Sequence, residues 1–133
     1  MAPESGPQTL YDAVGGERFF RQLVHEFYDR VWADEVLHAM YPEHDRAGAE
    51  ERFSLFLMQY WGGPGTYSER RGHPRLRMRH QPFPIDHAAR NRWVACMIGA
   101  LDALAPAPLH RAELEDYFER AATAMVNHNP LFR

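Results

Sequence analysis

Between Glu17 and Trp32 apolar residues return every three to four positions, at Phe19, Phe20, Leu23, Val24, Phe27, Tyr28, Val31 and Trp32. That spacing matches the 3.6-residue turn of an α-helix and predicts one with a wide buried face. A second run of the same kind, from about Gly48 to Trp61, carries Phe53, Phe56, Leu57 and Tyr60, and Gly62-Gly63-Pro64-Gly65 stops it. Asp86 is placed to cap a third helix reaching about Leu104, with Trp93, Met97, Ile98, Leu101 and Leu104 inward. After the breaker Ala105-Pro106-Ala107-Pro108, a fourth is expected from about Leu109 to Val126, with Leu114, Tyr117, Phe118, Ala121 and Met125 inward.

Smaller elements fill the gaps. Thr9 can cap a short helix holding Leu10, Tyr11 and Val14, and Gly15-Gly16 then allows a turn that a side chain would resist. A short turn around Val36, Leu37 and Met40 ends at Tyr41-Pro42. Thr66 to Pro84 is polar and Pro-interrupted, and is expected to be a long loop with one turn of helix between Pro74 and His80. No run alternates long enough for a strand, so the class is all-α, with irregular packing favoured over a regular four-helix bundle.

The 133 residues suit one domain, and 45% hydrophobic residues suffice for its core. Residues 1–8 have nothing to pack and are expected to form a flexible tail, with the folded domain over 9–133. The formal net charge of -3 leaves no basic field for nucleic acid or an anionic membrane. Cys96 is the lone cysteine, so neither an intrachain disulfide nor a Cys-based zinc site can form, and its phase with Trp93 marks it as a packed core thiol. No apolar signal core or membrane-length stretch occurs, and the expected location is cytoplasmic.

Of the eight histidines, only His38 belongs to a Glu-x-x-His, Glu35-Val36-Leu37-His38, and a di-iron bundle needs two. His25, His44, His87, His110 and His128 fall at polar flanks and read as solvated or capping. His80 differs, because it ends the turn that begins at Leu76 and precedes Gln81-Pro82-Phe83-Pro84, so its ring can face inward. An inward imidazole with one nitrogen bonded to a carbonyl and the other free suits an axial haem ligand, although a structural histidine fits the spacing as well.

Tyr28, Tyr41 and Trp93 each combine an aromatic body with one polar proton, and buried donors of that kind need partners. Converging on one pocket, they would suit a ligand with partial negative charge, such as dioxygen. All fifteen basic residues are Arg, and Arg70, Arg71, Arg75, Arg77 and Arg79 cluster within ten positions. Arg75, Arg77 and Arg79, with Arg52, are candidates to fork onto carboxylates such as haem propionates.

These residues in order resemble the group II truncated haemoglobins, in particular the oxygen-avid actinobacterial type. The matching segments are Tyr11-Asp12-Ala13-Val14-Gly15-Gly16, Phe27-Tyr28, Met40-Tyr41-Pro42-Glu43, Gly48-Ala49-Glu50-Glu51-Arg52, Gln59-Tyr60-Trp61-Gly62-Gly63-Pro64, Thr66-Tyr67-Ser68-Glu69, Arg71 to His80, and Trp93. The resemblance implies a two-over-two helical globin binding haem b (iron protoporphyrin IX), with His80 as proximal iron ligand. It implies a haem environment of Arg79, Arg52, Tyr60, Tyr67, His73, Phe56, Leu76 and Met97. Tyr28, Tyr41, Trp93, Phe53 and Ala49 would form the distal side. Ala49 stands where longer globins carry a distal histidine, leaving an opening, and Phe53 replaces the expected Leu and would narrow the cavity or displace Tyr28.

The function implied is binding of dioxygen, carbon monoxide and nitric oxide, with slow oxygen release that favours nitric oxide dioxygenation or peroxide reduction over simple delivery. An electron-donating reductase and a second copy of the chain are the protein partners this reading allows. The rival from another class is a cofactor-free helical interaction module, in which the same aromatic residues serve only as core.

Overall fold

The computed structural model describes residues 8–41, 45–80 and 83–127. Residues 1–7 of the expected tail lie outside these, as do Pro42, Glu43, His44, Gln81, Pro82 and His128. Among the described residues there are eight helices and no strand: α1 (Leu10–Val14), α2 (Gly16–Trp32), α3 (Glu35–His38), α4 (Arg46–Tyr60), α5 (Thr66–Arg71), α6 (Leu76–His80), α7 (His87–Leu104) and α8 (Pro108–Ala124). In this all-α fold α2 packs on both α4 and α7, and α7 packs on α8.

Helix starts follow the capping chemistry expected of the side chains. The Thr9 hydroxyl accepts from the Asp12 amide at 3.1 Å, and the Asp86 carboxylate accepts from the Ala89 amide at 2.8 Å. Asp34 caps α3 by accepting from the Val36 and Leu37 amides at 2.9 and 3.0 Å, and its carboxylate also receives Arg92 of α7 at 3.1 Å. Gly15 ends α1 in the left-handed region, φ 117°, which turns the chain directly into α2.

The strongly periodic α2 buries Phe19, Phe20, Leu23, Val24, Phe27, Tyr28 and Val31. Leu57 and Met58 of α4, Met97, Ala100 and Leu101 of α7, and Leu114 and Phe118 of α8 complete the core with them. Full burial of one such side chain contributes about 1.5–3 kcal/mol, so α2 is the element to which α4 and α7 are fitted, with α8 packed on α7. Cys96 is buried, in keeping with a packed thiol.

Two boundaries differ from the sequence expectation. Thr66–Arg71 is a helix, not loop, and buries only Tyr67. Too polar for periodicity to reveal, it is held by α4, whose Gln59 accepts from the Ser68 amide at 2.9 Å and donates to the Ser68 hydroxyl at 2.7 Å. Pro108 begins α8, because its fixed φ and missing N–H suit the first helical position.

Gly62, φ 96°, brings the end of α4 against the start of the chain, where an added Cβ would lie 2.6 Å from Thr9 Cγ2. The adjacent Trp61 carbonyl accepts from the Tyr11 amide at 3.0 Å. Gly62→Ala is therefore expected to lose on the order of 1–3 kcal/mol through strain and the lost α1 contact, read as a lower denaturant midpoint at unchanged slope. No helix among the described residues is long and apolar enough to cross a membrane.

Candidate functional site

One large cavity of about 570 Å³ opens between α2, α4, α6, α7 and α8, with walls that are mostly apolar. Its size lies in the ordinary range for small-molecule and cofactor sites. Of the residues singled out in the sequence, the cavity gathers Tyr28, Tyr41, Ala49, Arg52, Phe53, Phe56, Tyr67, Leu76, Arg79, His80 and Trp93. Trp32, Leu37, Met40, Phe83, Ile85, Arg90, Ala121 and Met125 also line it.

On one wall, His80 Nδ1 lies 2.7 Å from the Leu76 carbonyl oxygen, one helical turn back. A carbonyl oxygen only accepts, so Nδ1 carries a proton, and Nε2 on the other edge of the ring is the nitrogen left to offer a lone pair to a metal. The local sequence builds this: α6 is five residues long, and its first carbonyl meets the side chain of its last residue.

Tyr28, Tyr41 and Trp93 form a second group. Tyr41 lies beside the other two, within electrostatic reach of the Tyr28 hydroxyl and the Trp93 indole. Burial pushes the Tyr28 phenol well above its ordinary pKa, and the Tyr41 phenol beside it adds to the rise. Burial also raises Tyr41, opposed by the neighbouring Tyr28 hydroxyl and Trp93 indole. Ring contacts hold the group in place: Tyr28 and Tyr41 centroids are 5.6 Å apart, and Phe27 meets Trp93 at 5.0 Å. Phe53 lies 6.2 Å from Tyr28 and 6.3 Å from Trp93, and Tyr28 still reaches Tyr41 beside it.

Guanidinium groups gather at the rim. Arg52 pairs with Asp45 at 2.8 Å. Arg79 donates to the Pro74 carbonyl at 2.7 Å and the Arg71 carbonyl at 3.4 Å, which ties α6 back to α5. Arg71 lines the cavity and, among the described residues, makes no ion pair. Arg75 is exposed at φ 48°, and the Arg77 side chain lies outside the described set.

Three of the expected haem-lining residues stand off the cavity wall. Tyr60 is 51% exposed and meets the Tyr117 ring at 4.3 Å between centroids. Met97 is fully buried one turn beyond Trp93, in the core rather than on the cavity wall. His73 is exposed, its Nδ1 accepting from the Arg75 amide at 3.0 Å inside a local turn. The signal for Ala121 and Met125 was their i, i+4 phase on α8, whereas Arg90, Phe83 and Ile85 carry no local signal.

The Tyr117 phenol on this wall is pushed up to about 12 by burial, with the Tyr60 phenol beside it. Tyrosines lose their protons near pH 10 in an unfolded chain, so folding is favoured by these phenols fully below about 10. That contribution is lost as pH rises through the folded value. The denaturant midpoint is expected to fall between about pH 10 and 12, and less steeply in Tyr117→Phe.

The profile of the bacterial-like globin family matches residues 9–127. The chain belongs to the bacterial-like globins, as a group II truncated haemoglobin. A Bacillus subtilis relative, Group 2 truncated hemoglobin YjbI, is 39% identical over 117 residues, 88% of this chain and 87% of that protein. The thermostable haemoglobin from the actinobacterium Thermobifida fusca shares 57% identity at a TM-score of 0.88, over 90% of this chain and 98% of that one. The truncated oxygen-avid haemoglobin from Bacillus subtilis shares 38% identity at a TM-score of 0.85, over 90% and 100%. Membership implies haem-based binding of diatomic ligands in this globin, in place of the cofactor-free module. Its residues fit that group: an apolar cavity, an imidazole with a fixed tautomer and guanidinium groups at the rim.

Proposed function

We propose that this globin binds dioxygen, carbon monoxide and nitric oxide on haem b held by His80 Nε2, releases dioxygen slowly, and turns it over against nitric oxide. The observation that carries the reading is His80 Nδ1 bonded at 2.7 Å to the Leu76 carbonyl in the wall of a cavity that also holds Tyr28, Tyr41 and Trp93. Haem supplies the iron at which the gas binds and the redox couple for turnover.

Each remaining task falls to a side chain. His80 offers a lone pair whose direction the Leu76 carbonyl sets. Arg71, Arg52 and Arg79 neutralise carboxylates at the rim. Phe53, Phe56, Phe118 and Tyr67 exclude water from the interior of the cavity. Trp93 and the two tyrosines supply protons for hydrogen bonding where charge develops on the ligand, and Ala49 leaves the passage beside them wide. The relative described as oxygen-avid supports slow release.

Slow release leaves the gas in place long enough for a second reactant. In nitric oxide dioxygenation the balance is O2 + NO + e⁻ → NO3⁻, and the electron comes from a reductase. The site holds the reactants and takes no proton in that sum. A cytoplasmic setting, where such reductants occur, completes the reading, and peroxide reduction uses the same site with oxidisable Tyr28, Tyr41 and Trp93.

The test is optical. Purified protein loaded with haem is expected to give a strong Soret band that shifts on reduction with dithionite and again with oxygen or carbon monoxide. With a reductase present, the oxygenated protein is expected to convert nitric oxide to nitrate repeatedly. Arrest after a single turnover would reject the dioxygenase, and a broad, unshifting free-haem spectrum would reject the site.

A further inference from the structure

The segment after α6 is held from the far end of the chain. The Asn127 amide N–H donates to the Ile85 carbonyl at 2.9 Å, and its side-chain Oδ1 accepts from the Ile85 amide at 2.8 Å. Its Nδ2 donates to the Phe83 carbonyl at 3.0 Å and also reaches the carbonyl of His80 itself, at 3.4 Å. One residue just past α8 thus bonds to three backbone positions between 80 and 85. Two of these, Phe83 and Ile85, line the cavity, and the third is the histidine of its wall.

We propose that Asn127 is a positioning residue that sets the aim of His80. This rests on the reading of His80 as the haem ligand. The physical case begins with length: a five-residue helix cannot hold its own ends, because one or two intrahelical bonds do not offset the entropy of ordering it. Its N-terminal side is tied by Arg79 to Pro74 and Arg71. Its C-terminal side is tied by the Phe83 amide, which donates to the His80 carbonyl at 3.0 Å, and by Asn127.

The chemistry asks for this side chain. An acceptor must face the Ile85 amide while a donor faces two carbonyls, and one planar amide at this reach does both. Asp at 127 keeps the acceptor but turns a second oxygen on the Phe83 and His80 carbonyls, and Ala keeps neither arm. With the clamp gone, the end of α6 is free to move against Leu76, and the bond that fixes the imidazole tautomer loosens with it. The Leu76 carbonyl is the partner behind the ring, and disturbing such a partner of a metal-bound histidine typically changes affinity by about 10- to 100-fold.

The experiment compares wild type with Asn127→Ala, Asn127→Asp and, as a control for general destabilisation, Gly62→Ala. In the haem-free protein, ring nitrogen shifts of His80 and amide exchange at Ile85 are read by NMR. In the haem-loaded protein, the iron–histidine stretching band and the rate of haem loss to a scavenging apoglobin are read. Both Asn127 variants are expected to release haem about tenfold faster or more and to move the stretching band, and Asn127→Ala, which removes the acceptor, to expose the Ile85 amide as well. Gly62→Ala is expected to move none of these despite its lower stability. Unchanged His80 ring shifts and an unchanged band in both Asn127 variants would overturn the proposal. Should His80 prove not to ligate haem, His80→Ala would retain the wild-type spectrum, a result separate from whether Asn127 governs the ring in the haem-free protein.

Discussion

His80→Ala is expected to abolish the specific haem spectrum while leaving the fold in place. The side chain is only partly buried and contributes one hydrogen bond, to Leu76, worth about 0.5–1.5 kcal/mol. That is a minor share of the stability of a domain of this size. Circular dichroism of the variant should therefore match wild type. Haem would still enter the apolar cavity and meet the rim arginines, but without an axial imidazole its affinity should drop by orders of magnitude and its Soret band broaden. Imidazole added to the variant should restore much of the band by occupying the space the ring left. A variant that keeps the wild-type ferric, reduced and carbon monoxide spectra would remove His80 from the site.

Trp93→Leu should release dioxygen at least tenfold faster. A hydrogen bond to a charged group is worth about 1.5–3 kcal/mol, and each 1.4 kcal/mol is a factor of ten. Carbon monoxide carries less negative charge, so its release should change less, and the ratio of the two rates is the measurement to make by laser photolysis and stopped flow. Equal changes for both gases would point to an altered cavity shape and not a lost hydrogen bond.

Tyr41→Phe is expected to behave differently, because the Tyr41 hydroxyl is the polar neighbour of both the Tyr28 hydroxyl and the Trp93 indole in a buried setting. Removing it leaves those two donors with one polar neighbour fewer when no ligand is bound. The expected result is a loss of about 1–3 kcal/mol in haem-free stability with a smaller effect on oxygen release than Trp93→Leu. The double variant should depart from additivity, since the two side chains are neighbours in one cavity wall.

The three kinds of residue at this site were legible to different degrees. His80 stood out because a histidine ending a short turn beside Leu76 has a nearby carbonyl for one nitrogen, and that is the bond found. The resemblance named Tyr60 for the haem environment, and the structure has it half-exposed against Tyr117 of the cavity wall. Met97, named on the same ground, is fully buried in the core one turn beyond Trp93. Among the arginines, counting could not tell Arg71 at the rim from Arg75 in an exposed turn, since both lie in one charged run.

By itself the sequence determined the all-α class, the four long helices, the Thr9 and Asp86 caps and the histidine to suspect. Those follow from period, capping chemistry and turn residues, which act within a few positions along the chain. Only the tertiary structure decided that Thr66–Arg71 is helical, that Tyr41 lies beside both Tyr28 and Trp93, and that Asn127 grips the segment behind His80. Each of these depends on groups from different elements that packing brings together. A polar side chain has many partners within reach of its chemistry, and packing alone selects among them.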